Sequence, residues 1–409
     1  MKTRYPSTRR YERRWLKRKS HHINDLPDPS AALTLPSTLA MPSRPEVIEP
    51  PGVNFPLSWL LQKASVPIQY RAITEVARGS IAEPPGLVAL PYTYPPAIRL
   101  AFAQNADGLW NNAMLAVPAG RAEAHEGIGT IVAARRLLEW GWDRESPPLA
   151  LARRTLFRLL AEDEDPAFLY ELAPKGKIDP EVTRVGRGIL REAAAAVLAQ
   201  AGYENDPRLR GAARRIVARL DAFLRGPSAA KPFIRVGNQH VLAPGAAPPS
   251  VHTIMMLAHM PLFRNENWHT VDRLYAWMTQ PVPRATAAMR VGRKVVEMPH
   301  LVMGDPLPHR NAADADTPAA LWWLEILARL GFLRRNENWG KLFDRFLDDR
   351  DARGLWEAPK RSLAMRSTNP FVWASFPLEP HATADDRVAD VTFRLGLIAR
   401  ITGRTIVVD

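Results

Sequence analysis

The chain contains no cysteine. That absence excludes every disulfide, every thiolate nucleophile and every zinc site built on thiolates, and an oxidising compartment is neither required nor contradicted. Long apolar runs are missing too. No window approaches the roughly 18 to 20 consecutive apolar residues that cross a bilayer, and the first turns of sequence hold no apolar stretch of the secretory kind. A cytoplasmic location is the expectation. Strand-like alternation is nearly absent, which leaves helices as the expected building material. Acidic residues are scarce only at the start: residues 1–20 carry three Lys, six Arg and one Glu, so that short stretch supplies +8 of the net +13. The remainder, in a chain of 409 residues with 46% hydrophobic side chains, has enough apolar surface for a large core.

What is present divides into three parts. Residues 1–26 read as a flexible basic tail that mixes Tyr5, Tyr11 and Trp15 with Arg9, Arg10, Arg13, Arg14, Lys17, Arg18 and Lys19. Guanidinium and ammonium groups neutralise phosphates, and interleaved rings stack on bases or sit among lipid headgroups. A solvated tail that serves only solubility is the plain reading of residues 1–22; a nucleic acid or an anionic membrane surface is the partner the composition would suit, and an amphipathic mitochondrial presequence shares its basic, acid-poor character. Eight prolines between Pro27 and Pro56 rule out a continued helix, so residues 27–56 read as a linker. Residues 57–409 then read as one all-α domain of repeated helical hairpins.

The helical reading rests on apolar residues at mixed three and four spacing, together with start and stop signals. Asp206-Pro207 and Ser146-Pro147 place a capping oxygen before a proline in the first turn. Gly141-Trp142, Gly202-Tyr203 and Gly331-Phe332 place a glycine where a left-handed cap is needed, followed by an aromatic residue. An internal repeat pairs Asn265-Glu266-Asn267-Trp268 with Asn336-Glu337-Asn338-Trp339, 71 residues on, each followed by an amphipathic helix with Asp-Arg. Repetition of a helix pair implies that each unit buries its apolar face against the next, as in a solenoid or a closed toroid.

Gln104-Asn105-Ala106-Asp107-Gly108-Leu109-Trp110 follows an apolar helical stretch, and Arg350-Asp351-Ala352-Arg353-Gly354-Leu355-Trp356 is a degenerate copy. A glycine permits the turn, the long polar side chain reaches free helix-end groups and the indole covers the turn. The pattern resembles the QW-type motif of terpenoid cyclases, and the alternating helices resemble the α/α-toroid that squalene-cyclase-like enzymes share with protein prenyltransferases. The resemblance covers residues 57–409 and implies an α/α-toroid or incomplete toroid that binds an isoprenoid or other apolar ligand. In class II cyclases of this type the acid lies in an Asp-x-Asp-Asp-Thr-Ala sequence. Carried onto Asp314-Ala315-Asp316-Thr317-Pro318-Ala319, it makes Asp316 the general acid and Asp314 its partner, with one aspartate missing from the pattern. The residues themselves equally describe an N-cap with proline in the first turn. Trp322, Trp323, Trp373 and Phe376, with Phe371, supply rings for a cation-stabilising cavity or, at helical spacing, for core. The prenyltransferase zinc site needs a cysteine and is excluded.

Other chemistry is less localised. A sugar-cleaving site needs two carboxylates, and Glu162, Asp163, Glu164, Glu266, Glu337 and Glu379 are present without a favoured pair. Residues 297–317 gather His300, Asp305, His309, Asp314 and Asp316, the residue types that bind a divalent cation, but without the fixed spacing of a metal motif. His125-Glu126 precedes a helix start, where the carboxylate suits the dipole. The aromatic segment 369–381 reads as closing the fold. No pattern selects a cofactor, and a protein partner on a noncatalytic helical scaffold is the runner-up function.

Overall fold

The computed structural model describes residues 52–111, 113–118, 125, 127–161, 180–292, 294–308, 310–356, 367, 369–380 and 383–409. The basic tail with Arg9, Arg10, Arg13, Arg14, Trp15, Lys17, Arg18 and Lys19 lies outside them, as do Glu126, Glu162, Asp163, Glu164 and His309.

The described part of the chain begins with strand β1 (Val53–Phe55), followed by α1 (Leu57–Lys63) and α2 (Val66–Arg71). After a π turn come α3 (Pro95–Phe102), α4 (Thr130–Glu139), α5 (Pro147–Leu159), α6 (Pro180–Gln200) and α7 (Pro207–Arg225). The short α8 (Pro227–Ala230) leads into a hairpin of β2 (Phe233–Val236) and β3 (Gln239–Leu242). Helices α9 (Val251–Ala258), α10 (Pro261–Glu266) and α11 (Trp268–Met278) precede a second hairpin, β4 (Ala288–Val291) and β5 (Lys294–Glu297). Then follow α12 (Arg310–Ala315), α13 (Thr317–Arg329), α14 (Glu337–Asp348), α15 (Ala384–Ile401) and β6 (Ile406–Val408).

The all-α expectation, with its α/α-toroid of repeated hairpins, is corrected by these strands: the described residues are mostly helical but mixed, with three two-stranded sheets among them. β1 pairs in parallel with β6, while β2–β3 and β4–β5 are antiparallel. The strands escaped sequence reading because each is three or four residues long, too short for alternation to register, and the two hairpins turn on glycines held at φ 60°. β1 lies just ahead of α1 in the chain, and its Val53 N–H donates to Thr405 O at 2.8 Å.

Helix contacts run from α4 to α6, from α6 to α9, from α9 to α13 and from α13 to α15, and α15 returns to α1 and α2. The most extensive of these packings is α6 on α9, and Ala193, Ala194, Ala195, Ala196 and Ala199 of α6 are all buried. Three helix ends match their sequence signals. Gly141, Gly202 and Gly331 all take positive φ, and the N–H groups of Trp142, Tyr203 and Phe332 close back onto Leu137, Leu198 and Leu327 carbonyls at 2.9 to 3.1 Å. The glycine-tryptophan motifs also fold alike. Asn105 and Asp351 each accept two backbone N–H groups across the turn, and the backbone N–H groups of Trp110 and Trp356 donate to Thr130 and Thr392 hydroxyls at 3.1 and 3.0 Å. At Gly108 and Gly354 a Cβ would come within 2.9 and 2.7 Å of neighbouring backbone, so both positions exclude a side chain.

The Asn-Glu-Asn-Trp repeat diverges. Asn336 caps α14 and Trp339 is fully buried, its indole N–H on Asp305 Oδ1 at 2.9 Å. In the other copy Pro261 starts α10 through Asn265 and Glu266, so no equivalent cap forms and Trp268 is 58% exposed.

Candidate functional site

The two hairpins are themselves copies. Arg235-Val236-Gly237 and Arg290-Val291-Gly292 stand 55 residues apart. In each, the arginine Nε donates to the glycine carbonyl, at 3.0 and 3.2 Å, fixing the turn. Each ladder is extended by one further pair, Ala243 N–H to Pro232 O at 2.8 Å and Met298 N–H to Ala287 O at 2.7 Å. β3 and β4 lie side by side without pairing, so the hairpins form a double wall.

That wall stands over the first half of α6 and encloses a cleft of about 700 Å³. Val185, Ile189, Ile234, Val236, Met289 and Leu301 give it aliphatic sides. Gly188 lies on its floor, where a Cβ would meet nothing within 4 Å; the glycine keeps that space open at the cost of helix propensity. Charged side chains also belong to its lining. Glu181 Oε2 accepts the Gly292 N–H at 2.6 Å and so ties the second hairpin to α6. Glu192 receives the Ser250 and Thr253 hydroxyls at 2.5 and 3.1 Å, with Arg219 at 3.7 Å. Arg184 and Arg290 complete the charged lining. His300 also lines the cleft, and burial pushes its imidazole down to about 4, so the ring is neutral at neutral pH. Behind it, His252 is pushed to about 3 by burial, His300 and Arg135, and its Nε2 has no hydrogen-bond partner.

The residues expected to act lie elsewhere. Asp316 caps α13: its Oδ1 accepts Ala319 N–H at 3.0 Å and its Oδ2 accepts the Ser367 hydroxyl at 2.5 Å. Asp314 pairs with Arg345 at 2.7 Å and is half exposed. The two carboxylates therefore hold separate structural partners. Trp322 and Trp323 are buried on α13 as an edge-to-face pair with centroids 4.9 Å apart. Trp373 and Phe376 do face cations, but these are the protein's own guanidinium groups: Arg136 at 5.3 Å and Arg394 at 5.2 Å. Asp305 accepts Leu307 N–H as well as the Trp339 indole. Among the described residues no three His, Asp or Glu side chains come together to hold a metal ion.

The interior between α2, α4, α13 and α15 is filled by charge. Arg71 meets Glu139 at 2.7 Å, Glu139 accepts Gln200 at 2.7 Å, and Arg394 pairs with Glu325, which Arg329 also reaches at 2.8 Å. Burial works against the Glu325 carboxylate, but Arg394, Arg329 and Arg71 outweigh it and hold its pKa well below the usual range. Terminal guanidinium nitrogens of Arg135 and Arg136 donate to the carbonyls of Phe371, Trp373, Ala374 and Pro377 and to the Ser375 hydroxyl, which fastens segment 369–380 to α4.

No family model, curated protein or solved structure matches the chain. Among the described residues no helix is long and apolar enough to cross a membrane.

Proposed function

We propose that the protein binds an apolar, lipid-like molecule, of isoprenoid or comparable aliphatic body, in the cleft between α6 and the paired hairpins. The observation that carries this reading is the cleft itself: about 700 Å³ with Val185, Ile189, Ile234, Val236, Met289 and Leu301 in its walls, in the size range of small-molecule sites. Arg184, Arg219 and Arg290 against Glu181 and Glu192 suit a ligand with a polar or anionic head. Proton delivery by Asp316 forms no part of the proposal, because both of its oxygens are engaged.

Gly188→Leu tests it. The substitution fills the floor and improves helix propensity, so the fold is retained while the space is lost. Native mass spectrometry of the purified chain, with titration of a fluorescent alkyl-chain probe, is expected to show one ligand per chain and at least tenfold weaker probe binding in the variant. Equal binding by both proteins rejects the cleft as the site.

A scaffold for a protein partner is the second reading, and one observation favours it. Strand β5 is exposed throughout, with Val295 and Val296 at 38% and 41%, and an exposed edge strand is a template for strand addition. Val296→Lys would weaken such a partner and leave the alkyl probe's affinity unchanged.

A further inference from the structure

We infer a second site, for a phosphate-bearing anion, in the recess between α5 and the start of α7. The recess has a volume of about 410 Å³ and is lined by Arg153, Arg154, Phe157, Tyr203, Asp206 and Arg208. It owes its shape to the stop signal of α6: Gly202 turns the chain, and Tyr203 packs edge-to-face on Phe157 of α5 with centroids 5.8 Å apart.

Two of its guanidinium groups are held in place before any ligand arrives. Arg208 stands over the Phe157 ring, its Cζ 3.7 Å from the centroid, and is braced by Asp206 at 2.8 Å. Arg153 donates to Tyr203 Oη at 2.8 Å and to Glu145 at 2.7 Å. Arg144, over the same tyrosine ring at 4.8 Å, adds a further positive charge next to the recess. Arg154 is exposed and pairs with no carboxylate among the described residues. The lining therefore combines three guanidinium groups with one carboxylate, leaving an excess of positive charge in a concave surface.

Planar guanidinium groups match the oxygens of a phosphate bidentately, and an arginine already stacked loses less freedom on binding than a free one. The rings are covered by arginines, which favours recognition of phosphate over stacking on a base. This site is independent of the aliphatic cleft.

Isothermal titration of the full chain with sodium pyrophosphate at low ionic strength tests it. Binding is expected, weakened at least tenfold in Arg154→Glu and in Arg208→Ala. Arg353→Ala, at an arginine 72% exposed in another part of the fold, stays within twofold. A single-stranded oligonucleotide separates the sources of phosphate. If it binds more tightly than pyrophosphate and is lost in the same variants, the ligand is a phosphodiester backbone; weaker binding assigns a free phosphorylated molecule. No binding by the unaltered chain, or affinity unchanged in both variants, overturns the proposal; in the latter case the anion is held elsewhere.

Discussion

Arg71, Glu139, Glu325 and Arg394 are each less than a tenth exposed, and they compensate one another inside the helical interior. Removing one partner strands the others. Glu325→Ala leaves Arg394 facing Ser375 O and a distant Glu139, and is expected to cost about 3 to 5 kcal/mol in denaturant unfolding. Replacing Glu325 and Arg394 together by Leu and Met is expected to cost less than the single change. Glu379 behaves in the opposite way. Burial first and Asp390 second raise its carboxyl to about 8, while Ser65 N–H reaches Oε1 at 2.5 Å. A carboxyl whose folded pKa lies above its unfolded value favours the folded state at low pH and loses that contribution as pH rises from about 4.5 toward about 8. Glu379→Gln keeps the acceptor and removes the titration. Thermal unfolding at pH 5 and pH 9 is expected to show little difference at the lower pH and a more stable variant at the higher, by a few kcal/mol on the scale of about 1.4 per pKa unit.

At the scale of elements, helices were legible where local chemistry and tertiary need agree. The three Gly-aromatic stops and the Asp206 cap need only their neighbours, and the fold uses them as read. Ser146 does not cap α5 through its side chain, although its sequence signal is similar, and its buried hydroxyl has no partner. The Asn-Glu-Asn-Trp copies show why identity of sequence was not enough. What differs is the preceding residue set, Pro261 against Gly331-Phe332, and it decides which indole enters the core. Trp339→Ala is accordingly expected to cost about 3 to 5 kcal/mol, and Trp268→Ala to stay within about 0.5 kcal/mol, by denaturant melts of each variant. The hairpins carried their own signal, Arg-Val-Gly twice, but a four-residue strand gives no periodicity and the repeat is visible only when the two segments are compared.

At the scale of the whole described unit, the cleft and its walls come from parts of the chain far apart, α6 near residue 188 and hairpins near 236 and 291, so no local motif announces them. Of the aspartates and rings singled out in the sequence, Asp316 caps α13, Asp314 pairs with Arg345, and Trp322 and Trp323 are buried on α13. Of the His and Asp side chains singled out in segment 297–317, His300 is the one that lines the cleft among the described residues, flanked there by Met298 and Leu301. A similar long-range dependence holds the two ends of the unit together. β1 and β6 pair over three residues, and Asp409 Oδ1 accepts the Ser58 N–H at 3.0 Å, capping α1 from the far end of the chain. Phe55, in that strand, is 1% exposed and lies against Gly396 of α15, where a Cβ would come within 2.4 Å of its ring. The pairing thus sets the position of a core ring, and its loss should reach beyond the strand. Asp409→Ala removes only the cap and is expected to cost about 0.5 to 2 kcal/mol. Gly396→Ala instead drives a methyl into Phe55 and is expected to cost more, about 1 to 3 kcal/mol or above, because neither α15 nor the paired strand has room to yield. Chemical denaturation of both variants decides the point: a larger loss for Asp409→Ala than for Gly396→Ala would show that the ends are held by the cap and not by the packing of Phe55.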